Sequence, residues 1–311
     1  MAHAPHIPVL LDAVMESFAA SGQGYFIDCT LGYAGHSTAL LQRYQNLSLI
    51  GIDRDDEALA FSEQRLAPYD ERFRLQKGTF SQTIGEIKER PIVGVLADFG
   101  VSSLQLDKQE RGFSFDSDLL DMRMDQDATL SAYDVVNSYS ATQLTHLFKT
   151  YGEISQAQKL SDEIIRVRTQ APIQDNKTLS DIAKRVLHSG GKIHPATLMF
   201  QAIRIEVNNE LGEIEGLLNA LEQMQPAGAI IALITFHSLE DRLVKNRFKQ
   251  WAKQCICDPQ APRCTCGKNH AKGKVLTRKP IIADKAECKQ NPRSRSAKLR
   301  CFLFKGATHA A

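Results

Sequence analysis

The sequence predicts an α/β fold: a mostly parallel, Rossmann-like sheet interrupted after its fourth strand by a helical insertion. Three observations carry this. Strand-like and helix-like runs alternate between residues 24 and 106, the rhythm of βαβ units. From about 108 to 220 the chain reads as helical. Strand character then returns at AGAIIALITF, KVLTRKPII and LRCFLFKG. The expected division is therefore a sheet domain in two parts, 1–107 and 221–311, around an insertion at 108–220. A basic, cysteine-rich loop is expected at 253–274.

Taken in order, GYFIDCT reads as the first strand. HSTALLQRYQ is helical, with Ala39, Leu40 and Leu41 set among polar residues. LSLIGID is the second strand. DDEALAFSEQRLAPY is a helix whose acidic first turn suits the helix dipole. RFRLQKGTF is the third strand and IVGVLADF the fourth. That fourth run is unbroken apolar sequence ending in Asp98. It reads as a buried strand delivering a carboxylate to the sheet's C-terminal edge, where open α/β folds bind ligands. The insertion contributes SATQLTHLFKTYG, ISQAQKLSDEIIRVRTQ, TLSDIAKRVLHS and the long HPATLMFQAIRIEVNNELGEIEGLLNALEQM.

The composition, 43% apolar and 24% charged, is that of a globular protein. The first residues carry no Lys or Arg before their apolar part, unlike a secretory signal. The longest apolar run, AGAIIALITF, is too short to cross a bilayer. A cytoplasmic protein without a membrane partner is expected. The net charge of +2 conceals an asymmetry: residues 241–300 hold 17 Lys/Arg against 4 Asp/Glu, and the remainder 21 against 32. A basic segment on an acidic body suits a polyanion such as nucleic acid; a solvated basic tail is the plainer alternative.

The tripeptide Asp98-Phe99-Gly100 does not make a kinase. No G-x-G-x-x-G-x-V loop, V-A-I-K lysine or H-R-D loop lies upstream. The segment FIDCTLGYAGHSTALL is instead a strand, a glycine turn and a helix start. Gly32 and Gly35 let backbone approach a ligand. His36, Ser37 and Thr38 bring N–H groups and a cap to a positive helix end. Asp53 closes the next strand 21 residues after Gly32, where a carboxylate can accept from both ribose hydroxyls of an adenosine. Phe80 could pack on adenine or simply on the core. The turn G-Y-A-G lacks the spacing of a dinucleotide site, so S-adenosylmethionine fits better than a nicotinamide cofactor. Asp98 could accept a hydrogen bond from an exocyclic base amine and hold it in line, with Phe99 stacking on an extruded base. Its alternative is to cap the following turn through Ser102 and Ser103.

The ordered motifs DCTLGYAGHS, GIDRD, GTFSQ, ADFGVSSLQLD, RGFSF, LDMRMD, KTYGE, HPATLMFQAIRIEVNNEL, TFHSLEDRLVK and NPRSRSAKLR closely resemble the bacterial ribosomal RNA small-subunit methyltransferase H family. The match runs from His6 to about Leu303. The resemblance implies a class I S-adenosylmethionine-dependent methyltransferase fold with a helical insertion. It implies methylation of N4 of one cytidine, conventionally numbered 1402, in the decoding region of 16S rRNA; the partner is 16S rRNA, either within the small ribosomal subunit or as naked RNA. A homodimer is compatible with it, and a non-catalytic assembly factor is the alternative reading. Carried over by position, Ala34, Gly35, His36, Asp53, Phe80, Asp98 and Gln105 would hold the cofactor. This chain departs from the family's G-G-H at Ala34, where a methyl should fit only with negative φ. It has D-F-G for D-L-G, and Leu198-Met199 where the family has Arg-Thr. Nothing matches the D-P-P-Y motif of DNA amino methyltransferases.

Candidate RNA contacts are Arg111, Asp121 and Arg123 after the fourth strand, Lys192, His194, Arg204 and Asn208 in the insertion, and His237 after the fifth strand. Arg293, Arg295, Lys298 and Arg300 form a basic cluster assigned to phosphate. Cys255, Cys257, Cys264 and Cys266 form C-x-C-x6-C-x-C. Four thiolates could bind a structural zinc, with His270 as an alternate ligand; free thiols are the other reading.

Overall fold

The computed structural model describes residues 7–19, 21–102, 105–106, 108–187, 194, 196–258, 260 and 263–306. Its elements follow in chain order. The first are α1 (Leu11–Ser17), β1 (Gly24–Asp28), α2 (Gly35–Arg43), β2 (Leu47–Asp53), α3 (Asp56–Leu66), β3 (Phe73–Lys77), α4 (Phe80–Thr83) and β4 (Ile92–Asp98). Helices α5 (Ala132–Ser138), α6 (Ala141–Thr150), α7 (Ala157–Arg168), α8 (Asn176–Val186), α9 (Ala196–Asn208) and α10 (Glu210–Met224) come next. The chain closes with β5 (Ile230–Thr235), α11 (Ser238–Trp251), β6 (Gly273–Val275), α12 (Lys285–Gln290) and β7 (Lys298–Phe304). Two compact units result: Met1–Gly100 with Gly212–Ala311, and Val101–Leu211.

The first unit is built on a seven-stranded sheet of order β3-β2-β1-β4-β5-β7-β6. Strands β1 to β5 pair in parallel, and β7 runs antiparallel to both β5 and β6. This is the class I methyltransferase fold that the sequence implies. The strands read as unbroken apolar runs because both faces are covered. Successive residues alternate between the faces: Phe26, Leu49, Leu96 and Ile234 pack with Val14 and Leu40. Ile27, Ile50, Val95 and Leu233 pack with Leu217, Phe248 and Trp251 on the other face. Chain order reverses between β1 and β4, which are neighbours in the sheet, and that is the switch point where such sheets take ligands.

The second unit buries Val135, Leu144, Phe148, Leu160, Ile164, Leu179, Ile182, Phe200 and Ile203 in one core. Its helix starts are written in the sequence. Ser131 with Asp134 and Ser140 with Gln143 form capping boxes, and Asp175 caps α8. The long helical stretch after His194 is two helices, because Asn209 adopts φ 48° between them.

Candidate active site

Three carboxylates end three neighbouring parallel strands of the first unit. Asp28 closes β1, Asp53 closes β2 and Asp98 closes β4, so all three stand at one edge. Asp28 is buried; the Ser37 hydroxyl donates to its Oδ2 at 2.6 Å and the Thr30 N–H to its Oδ1 at 3.2 Å. Asp53 accepts from the N–H of Gly32 at 2.8 Å and of Asp55 at 3.0 Å, which ties β2 to the turn after β1. The Asp98 backbone N–H donates to Thr30 Oγ1 at 2.6 Å. Its side-chain Oδ1 is buried and has no hydrogen-bond partner among the described residues. Ser102 does not supply one: its N–H donates to Gln105 Oε1 at 3.0 Å, and its hydroxyl accepts from the Gln105 N–H at 3.3 Å. Ser103 lies outside the described residues.

Burial raises all three carboxyls. Asp28 is pushed up to about 6, against the opposing pull of its Ser37 and Thr30 hydrogen bonds. Asp53 is raised by burial. Asp98 is held well above the usual carboxylate range by burial first, then by the negative charges of Asp28 and Glu240. No basic group offsets Asp28 or Asp98 among the described residues. An edge with this surplus of acid favours a ligand that brings positive charge. Asp28 is absent from the candidates named above, yet FIDCT carries the same signal as VLADF: a carboxylate ending an apolar strand.

The turn after β1 corrects one expectation. Ala34 has φ 54° and ψ 32°, in the left-handed region, not the negative φ that its methyl was expected to require. The methyl is tolerated because it is fully buried, in the cluster with Leu31 and Leu40, so packing offsets the backbone cost. The Ala34 N–H closes the turn on the Leu31 carbonyl at 2.7 Å. Gly32 also has positive φ, at 50°. Gly35 is small for a different reason: a Cβ there would meet Pro8 at 2.5 Å. Helix α2 starts without a side-chain cap, since Ser37 serves Asp28 and the Thr38 hydroxyl donates to the Ala34 carbonyl. The His36 ring is buried with Nε2 2.8 Å from the Val9 carbonyl oxygen, and burial lowers its pKa to about 4. It is a neutral side chain at neutral pH.

Phe80 is buried and its ring centroid lies 5.8 Å from that of Phe99. Phe99 is 3% exposed and belongs to the sheet core, which overturns its expected stacking on a base. After β5, His237 sits at the same C-terminal edge with Nε2 3.1 Å from Glu240 Oε1. Glu240 is wholly buried and accepts from the N–H groups of Phe236 and His237 at 2.7 and 3.2 Å.

Several expected RNA contacts are instead committed internally. In the second unit Arg111 is 2% exposed and donates to the carbonyls of Arg123 and Met124, at 3.3 and 2.8 Å. Arg123 pairs with Asp121 at 2.7 Å and donates to the carbonyls of Gln126 and Ala128. Asn208 accepts from the Met124 N–H and donates to the carbonyls of Met122 and Arg204. Arg204 forms a two-pronged pair with Glu210, at 2.7 and 2.9 Å. The exposed ring of His194 stacks on Phe115 at 5.0 Å, and its Nδ1 accepts from the Ala196 N–H. Lys192 lies outside the described residues, and Gln105 is a buried member of this unit. In the first unit, Arg300 is buried in a two-pronged pair with Asp241, so it is no phosphate contact. Arg293 is half-buried and Arg295 exposed, on the short turn Pro292–Ser296.

Residues 3–305 match the model of the MraW methylase family. Ribosomal RNA small subunit methyltransferase H of a Sulfurovum species is 64% identical over 301 residues, which cover 97% of this chain and 98% of that protein. The protein of the same name from a Nitratiruptor species is 56% identical over 304 residues, with 97% and 99% covered. The one from Wolinella succinogenes is 54% identical over 301 residues, again with 97% and 99% covered. With the family model matched over nearly its whole length, the chain belongs to the MraW methylase family.

Proposed function

We propose that this chain transfers a methyl group from S-adenosylmethionine to N4 of a cytidine in the decoding region of 16S rRNA, presented on the small ribosomal subunit. The observation that carries this reading is the Asp98 carboxyl, which closes β4 at the switch point with a buried, unpartnered Oδ1. The shared name of relatives up to 64% identical supports the substrate class.

The residues at this edge fit the cofactor. The unpaired acid of Asp28 and Asp98 favours a ligand with positive charge. The first N–H groups of α2, at Gly35 and His36, suit a carboxylate; the Ala34 N–H is spent on the Leu31 carbonyl. Asp53 has acceptor capacity left for ribose hydroxyls. Phe80 completes the set in this unit. S-adenosylmethionine, when bound, supplies an electrophilic methyl group on a sulfonium.

The chain's own work is then alignment and charge. Asp98 accepts a hydrogen bond from the exocyclic amine, returns electron density to a nitrogen conjugated into its ring, and fixes its line of approach. Positive charge nearby lowers the Asp98 pKa and restores the carboxylate. A carboxylate of raised basicity is also competent to take the N4 proton after transfer. Thr30 and Ser37 hold the strand ends in place for this.

The test is incubation with methyl-labelled S-adenosylmethionine and small subunits from cells lacking this protein, followed by digestion and nucleoside mass analysis. Labelled N4-methylcytidine is the expected product. Label on another nucleoside overturns the acceptor chemistry. Cofactor binding without any label supports a non-catalytic assembly factor instead.

A further inference from the structure

Between α11 and β6 the chain makes an excursion that the sheet does not explain. The Lys272 N–H donates to the Trp251 carbonyl at 2.7 Å, so the chain returns to the point where it left. Among the described residues between these two, none is buried, and Ile256 is 61% exposed. A loop of this length without a core of its own needs another source of order. Its two C-x-C arms bring four sulfurs together.

We propose that Cys255, Cys257, Cys264 and Cys266 bind one structural zinc ion, which holds the basic loop in its fold. The four Sγ atoms lie within 4.8 Å of one another. Cys264 Sγ is 3.5 Å from Cys255, 4.0 Å from Cys257 and 3.6 Å from Cys266, and Cys266 is 3.6 Å from Cys255. A tetrahedral zinc with Zn–S bonds of about 2.3 Å has S···S edges of about 3.8 Å. The measured separations bracket that value. All four are free cysteines. The Thr265 N–H donates to Cys257 Sγ at 3.4 Å, a backbone contact of the kind that orients a thiolate ligand. Gly267 and Lys268 take φ 78° and 54°, turning the chain directly after the last cysteine. His270 does not join this group of four; its Nε2 lies 2.8 Å from the Cys266 carbonyl oxygen. Four thiolates around a divalent ion leave a net negative charge, and the same loop carries Lys253, Arg263 and Lys268. No coordination position remains open, so this metal takes no part in methyl transfer.

The experiment uses the full chain, purified under reducing conditions without chelator. Metal analysis should find about one zinc per chain, and a mercurial reagent that caps thiols should release it. Replacement with cobalt(II) should give the visible bands of a tetrahedral sulfur site. The double variant Cys264→Ser with Cys266→Ser should lose the metal, and Cys288→Ser should keep it. Because the double variant could misfold, alkylation of the unmodified protein gives a second reading. Mass mapping should show these four cysteines protected by zinc and exposed after chelation, with Cys288 unchanged by either. Protein that takes up neither zinc nor cobalt, or whose four thiols alkylate equally with and without zinc, overturns the proposal. Full metal retention in a folded double variant overturns it as well.

Discussion

The strand ends of the first unit and the RNA-contact candidates of the second treat their polar side chains differently. In the second, Arg111, Arg123, Arg204 and Asn208 all bond internally to carbonyls or carboxylates. In the first, among the described residues, the strand ends leave Asp98 Oδ1 buried without a partner, and Asp28 and Asp98 without a basic neighbour. A buried polar group that bonds its own chain contributes to the fold. One left unpaired costs stability and persists where a ligand completes it. On the function proposed above, the difference separates residues that hold this protein together from residues that act.

The sharpest way to break the comparison is Asp98→Asn. The substitution keeps the shape and removes the charge. Methyl transfer to the small subunit should fall by about 10²- to 10⁴-fold, the range for a positioned acid or base. Thermal stability should hold or rise, because a buried carboxyl that is costly to ionise is replaced by an amide that carries no charge. Undiminished transfer rates in the labelled assay would remove Asp98 from the chemistry.

The next effect is in the pH dependence of folding. His36 is neutral when folded, with a pKa of about 4 against 6.5 ordinarily. Its contribution is present above 6.5 and is lost as pH falls through 4, by up to about 3 kcal/mol. Asp28 works the other way. Its pKa of about 6 exceeds 3.8, so its contribution is full below 3.8 and is lost as pH rises through 6, by a similar amount. The two oppose each other between pH 4 and 6. Denaturant titrations over this range should show Asp28→Asn losing stability on acidification more steeply than the parent. His36→Gln should lose it less steeply. Parallel curves for all three proteins would contradict both burials.

Arg111→Met tests the second unit. Two carbonyls lose a charged donor, at a cost of about 2–3 kcal/mol in chemical unfolding. The salt dependence of RNA binding should keep its slope. A slope shallower by about 1, with stability unchanged, is the signature of a phosphate contact and would return Arg111 to the RNA.

These outcomes bear on what a sequence can disclose. The sheet was legible because strand alternation and helical spacing are local, and because both faces of the sheet demand unbroken apolar strands. Asp98 was legible for a related reason, as a carboxylate ending such a run. Asp28 carries that signal too and escaped notice beside the glycine turn. Arg111 and Asn208 were misread because their partners are backbone groups made available only by folding. Asn208 reaches Met124 and Met122 across 84 and 86 residues. Arg300 meets Asp241 across 59. The letters R and N look the same whether they await a phosphate or a carbonyl.

The smallest effect is expected at Ala34→Gly, where three terms nearly cancel. Relief of the left-handed conformation gains about 1–2 kcal/mol. The added freedom of glycine in the unfolded chain costs about 0.4–1 kcal/mol. Removing a fully buried methyl costs about 0.8 kcal/mol more. The net change should lie within about 0.8 kcal/mol of zero, in either direction, by reversible unfolding. A gain well beyond that would mean the methyl contributes no packing and the turn carries its strain uncompensated. A large loss would mean that contacts with Leu31 and Leu40 matter more than the backbone. A near-zero result means that core packing and the stiffer unfolded chain together let alanine occupy a conformation in which glycine is the expected residue.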